Sequence, residues 1–113
     1  MTEKWELVIS CKAAEQEISA LTPDLRSKFL HISDLLVRLG ANNVGMPHIK
    51  PLENKMWEMR LKGKVNIARS IYFVTYEKKI VILHTFIKKT QKTPNKSLDI
   101  AKQRMGDFIY DKI

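Results

Sequence analysis

Three segments rich in β-branched and aromatic residues, Met56 to Leu61, Ile67 to Tyr76 and Ile80 to Ile87, follow one another with only short polar connections. Runs of this length and composition read as strands, and links as brief as Lys62-Gly63-Lys64 and Glu77-Lys78-Lys79 suit tight reversals. The chain is therefore expected to build an antiparallel meander. Such a sheet buries one face and can leave the other open to solvent.

The flanking segments supply the cover. Trp5 to Ser10 reads as a first strand and Lys12 to Ala20 as a helix. Thr22-Pro23 gives an N-cap followed by proline at the first helical position, after which Leu25, Phe29, Ile32, Leu36 and Leu39 recur at helical spacing up to Gly40. Asn42-Asn43, Gly45, Pro47 and Pro51 mark a loop. Thr93-Pro94 repeats the cap signal and opens a last helix with Leu98, Ala101, Met105 and Phe108 on one stripe. The expected order is β-α-α-β-β-β-α, an α+β fold in one domain spanning residues 1–113.

Charge divides the chain unevenly. Of the net +8, residues 1–54 contribute six basic against seven acidic side chains, whereas residues 55–113 contribute fourteen against five. The basic surface therefore belongs to the meander and last helix, and it calls for a polyanion or an acidic partner. The single Cys11 has no disulfide partner within the chain, and no Cys/His cluster has zinc spacing, so neither a metal nor another cofactor is expected. The first residues lack a basic segment followed by an apolar one, and no later run approaches membrane-spanning length, which reads as cytoplasmic.

Strand alternation turns Trp57, Met59 and Leu61 to the core and Glu58 and Arg60 to the other face, which leaves Arg60 exposed on the sheet surface. Arg69 lies inside an apolar strand and needs either a carboxylate or an anionic ligand. Two readings stand: Arg69 pairs with Glu58 and fixes sheet register, or Arg60 and Arg69 clamp a phosphate with their planar donor forks. Burial of Arg69 against an acidic neighbour, with no hollow beside it, would remove the second. Lys88, Lys89 and Lys92 make a basic rim before the last helix. His84 is a candidate acid or base, or else a hydrogen-bonded core histidine, while His31 and His48 are weaker candidates. Tyr72 is the aromatic kept as a stacking contact for a base.

The blocks Lys55-Met56-Trp57-Glu58-Met59-Arg60, Ala68-Arg69-Ser70-Ile71-Tyr72-Phe73 and Leu83-His84-Thr85-Phe86-Ile87-Lys88-Lys89-Thr90-Gln91-Lys92-Thr93-Pro94 resemble the phage-related HigB branch of the RelE/ParE toxin superfamily over about residues 50–110. The resemblance implies a RelE-like antiparallel sheet with two N-terminal helices on one face and a basic concave surface on the other. It also implies the toxin of a type II toxin–antitoxin system, an endoribonuclease that cuts mRNA on the ribosome by attack of a 2′-hydroxyl on the adjacent phosphate, without a metal. Carried over by position, Arg69 would stabilise charge on the scissile phosphate and Arg60 would hold it. Lys88 and Lys89 would neutralise phosphates or move protons, with Lys55, Lys92 and Tyr72 along the RNA. RelE has lysines where this chain has Glu58 and Arg60, so a lysine base is not carried over to that strand. Tyr110 is left out because no motif equates it with the family's C-terminal tyrosine.

The implied partners are a HigA-like helix-turn-helix antitoxin, the ribosome with its mRNA, and operator DNA reached through the antitoxin. The alternatives are a ParE-like, non-catalytic inhibitor of DNA gyrase and a non-catalytic RNA-binding module.

Overall fold

The computed structural model describes residues 4–89 and 92–111. Five strands form one sheet in the order β1-β5-β4-β3-β2: β1 Glu6–Ile9, β2 Ile49–Pro51, β3 Trp57–Lys62, β4 Ile67–Val74 and β5 Lys79–Lys88. Helices α1 Lys12–Ser19 and α2 Pro23–Leu39 follow β1, and α3 Asn95–Asp111 follows β5. The meander is antiparallel as expected.

Two features depart from the sequence reading. The Pro-rich loop contains the extra edge strand β2, whose three residues pair with β3, so that four strands rather than three lie between α2 and α3. Pro51 is tolerated there because an edge strand does not need every N–H. In addition β1 runs parallel to β5, which makes the sheet mixed.

Each face carries its own core. Leu25, Phe29, Ile32 and Leu36 of α2 bury against Met59, Leu61, Ala68, Tyr72, Ile80 and Ile82. Leu39, expected on that stripe, is instead 52% exposed at the helix end. Thr22 occupies the N-cap, but its hydroxyl donates to Asp24 Oδ1 at 2.6 Å, and Asp24 Oδ2 accepts the Lys64 amide at 2.8 Å. That bond draws the β3–β4 turn onto α2. A Cβ at Gly63 would stand 2.6 Å from Asp24 Oδ2, so a side chain there would displace the carboxylate that accepts the Lys64 amide. On the second face Leu98 and Ala101 of α3 pack on Met56, Ile71, Phe73, Val81 and Leu83, with Phe108 edge-on to Phe73. α3 covers only part of this face.

Beyond Ile82 the β5 edge has no β1 residue beside it, and side chains close it. Glu17 of α1 accepts the Thr85 amide at 3.0 Å and Arg104 Nη1 at 2.9 Å, while Arg104 also donates to the Leu83 carbonyl at 3.0 Å. His84 Nδ1 lies 3.1 Å from both Glu17 oxygens. Burial raises the Glu17 pKa, but the bonds from His84, Arg104 and the Thr85 amide outweigh it and hold the carboxyl at about 2, against an ordinary 4.5. A depressed carboxyl pKa contributes stability that is present above about 4.5 and lost as pH falls towards 2. We therefore expect Glu17→Gln to flatten the acid limb of the urea-unfolding free energy between those values by roughly 1–3 kcal/mol. An unchanged limb would place the acid sensitivity elsewhere.

Candidate phosphate-binding site

Alternation along β3 holds for Met59 and Leu61, whereas Trp57, expected in the core with them, is 39% exposed at the start of the strand. Met59 and Leu61 are fully buried under α2, and Glu58 and Arg60 lie on the opposite face. The register then sets Arg60 directly opposite Arg69. Like charges facing each other across two strands repel, so this arrangement is unfavourable unless an anion or a carboxylate compensates. One carboxylate is present: Glu58, 1% exposed, places Oε2 3.4 Å from Arg69 Nε, while Arg69 itself is 5% exposed.

The pairing reading of Arg69 is thus realised, yet it leaves the arginine incompletely satisfied. Nη1 donates to the Ala68 carbonyl at 3.1 Å, but the Nε–H has no hydrogen-bond partner among the described residues. Burial pushes the Arg69 pKa down, Arg60 pushes it further, and Glu58 opposes both. Glu58 is held by Thr93, whose hydroxyl donates to Oε1 at 2.7 Å.

Beside this pair is a hollow of about 430 Å³, lined by Lys28, Pro47, His48, Arg60, Leu61, Lys62, Ile67 and Arg69. It exceeds the volume of a phosphate group and has cationic side chains on three elements. Lys88, across from Ile67 at the end of β5, belongs to the same field. Its pKa is lowered, first by burial and then by Arg69, Arg60 and Lys50, with Glu58 acting the other way. Arg69 and Lys88 are thus each destabilised as cations by burial and by neighbouring cations, with Glu58 opposing in both cases.

The other expected contacts divide. Lys89 and Lys92 are exposed near the start of α3. Lys55 is exposed in the turn before β3 but lines a separate groove with Phe73, Tyr76, Met105 and Ile109, away from the arginines. Tyr72 corrects the sequence reading: it is 1% exposed in the α2-side core, where burial also raises its pKa, so it has no free face for a base. His84, 7% exposed, is bound to Glu17 and stacked on Phe86, which is the core-histidine arrangement rather than an acid or base in the hollow. Sequence reasoning did not find Lys28, Lys62, Lys50 or Thr93. Lys28 sits between buried Leu25 and Phe29 on α2, and nothing local points it toward a sheet residue more than thirty positions away. Among the described residues no three His, Cys, Asp or Glu side chains form a metal-ligating group, and no helix is long and apolar enough to cross a membrane.

Fold and site together define a small α+β domain with paired arginines and neighbouring lysines at the wall of one hollow. The chain belongs to the family described as phage derived protein Gp49-like (DUF891), which matches residues 16–106. Among solved structures it is similar to a chain of the archaeal RelE–RelB complex from Pyrococcus horikoshii OT3. That likeness is 20% in identity, covers 74% of this chain and 94% of the other, and has a TM-score of 0.48. No curated protein sequence matches.

Proposed function

We propose that the chain is the toxin of a type II toxin–antitoxin pair and acts in the cytoplasm as a ribosome-dependent mRNA endonuclease. The observation that carries this reading is Arg60 set directly opposite Arg69 at the wall of a cationic hollow. A phosphate entering there offsets the repulsion between the two guanidinium groups and meets their donor forks. Membership in a phage-derived family whose match overlaps the motif blocks supports it.

In the proposed reaction the mRNA 2′-hydroxyl attacks the adjacent phosphorus and the bond to the 5′-oxygen breaks, leaving a cyclic phosphate and a 5′-hydroxyl. Arg69 stabilises the charge that develops on the phosphoryl oxygens, and Arg60 holds the phosphate in place. Lys88, its pKa depressed, takes the hydroxyl proton, and the departing 5′-oxygen takes a proton from water to become the 5′-hydroxyl. Lys89 and Lys92 lie along the RNA backbone as charge-neutralising contacts. Nucleophile, phosphorus and leaving group all come from the RNA, so the step calls for no cofactor.

The free surface needs a partner. A HigA-like helix-turn-helix antitoxin with an acidic segment suits a half-chain with fourteen cations, and would carry the pair to operator DNA. Primer extension on mRNA from a translating extract tests the activity. Toxin-dependent breaks inside codons are expected; intact mRNA together with gyrase-linked DNA damage would instead establish the ParE-like alternative.

A further inference from the structure

The reaction above uses Arg69 but assigns nothing to the two groups that hold it. Glu58 is almost fully buried, and a carboxylate in that position is unfavourable without partners. Its two oxygens are divided: Oε1 accepts from Thr93 at 2.7 Å, and Oε2 faces Arg69 Nε at 3.4 Å. On the far side of the guanidinium Nη1 donates to the Ala68 carbonyl. The guanidinium is thus held by the ion pair of its Nε edge with Glu58 and by the one Nη1 hydrogen bond. An arginine has five N–H donors, so its other N–H groups are left for whatever enters the hollow that Arg69 lines.

We propose that Glu58 is a positioning residue for Arg69 and that Thr93 fixes Glu58, so that the entry to α3 sets the direction in which the guanidinium points. The proposal rests on the reading of Arg69 as the phosphate ligand. A register-fixing role does not account for the arrangement, because β3 and β4 already pair at six positions from Trp57↔Tyr72 to Lys62↔Ile67. Nor does it explain why a hydroxyl from residue 93 reaches into the pair. In an oriented site, small misplacements of a reacting group reduce the rate much more than they reduce binding.

The test compares Thr93→Val, which removes the hydroxyl at nearly constant shape, with Thr93→Ser, which retains it. Steady-state mRNA cleavage and the NMR signal of the Arg69 Nε–H are followed in each. Thr93→Val is expected to lower kcat by roughly 10-fold or more with KM within about twofold. It should also shift the Nε–H signal and speed its exchange, and Thr93→Ser should restore both. Two variants that cleave like the wild type and leave the Nε–H signal unmoved, beside an inactive Arg69→Lys, would overturn the proposal. If Arg69→Lys itself cleaves normally, the phosphate-ligand reading fails separately, and the Nε–H response to Thr93→Val still decides whether Thr93 and Glu58 orient the arginine.

Discussion

Arg69→Lys is expected to lower mRNA cleavage by about 10²–10³-fold while the protein remains folded. Lysine keeps a positive charge beside Glu58 but loses the planar fork that delivers two parallel hydrogen bonds to a phosphate. Alanine is the poorer test here. With Glu58 at 1% exposure, removing its cationic partner strands a buried carboxylate, and breaking such a pair costs about 3–5 kcal/mol. Lost activity in Arg69→Ala would therefore mix chemistry with unfolding. The measurement is primer extension at matched toxin concentration, with thermal unfolding followed by circular dichroism to confirm folding. Cleavage within threefold of the wild type would remove Arg69 from the reaction.

Much of this arrangement is legible in the chain itself, but only where the information is local. The period-2 pattern of Trp57 to Leu61 places Glu58 and Arg60 opposite the α2-side core, because alternation is a property of each strand alone. That Arg60 faces Arg69 is a matter of register, which depends on the geometry of the turn through Gly63 and its contact with Asp24 forty residues earlier. The sequence offers Thr93 as a helix cap, yet its hydroxyl goes to Glu58 on another element, while the Pro94 carbonyl accepts the Ser97 and Leu98 amides at the helix start. Tyr72 is a different case. It stands near Arg69 in sequence, but the odd–even alternation of β4 sends it with Ala68 to the α2 side, so here the strand pattern itself argued against a contact on the face of Arg69. Strand β2 escaped notice because three residues beside two prolines carry too short a pattern, and its identity comes only from pairing with β3.

Lys88 offers the second large effect. Burial first, and then the nearby Arg69, Arg60 and Lys50, favour its neutral amine over the charged form, with Glu58 opposing. The direction matters for chemistry: a lysine with an ordinary pKa of 10.5 is almost wholly protonated at neutral pH, whereas a depressed one supplies a larger neutral fraction to accept the 2′-hydroxyl proton. As pH rises towards this lowered pKa, kcat/KM of the wild type should climb, since that parameter reports the free enzyme. Lys88→Met keeps a side chain of similar length without a titratable nitrogen. It is expected to lower kcat/KM by about 10²-fold or more and to erase the rising limb. Loss of one phosphate contact alone predicts something different, a modest fall in affinity and a salt slope shallower by about one, with the pH profile intact. Measuring kcat/KM from pH 6 to 10 for both proteins at two salt concentrations separates the two roles, and a rising limb that survives in Lys88→Met would assign the proton to another group.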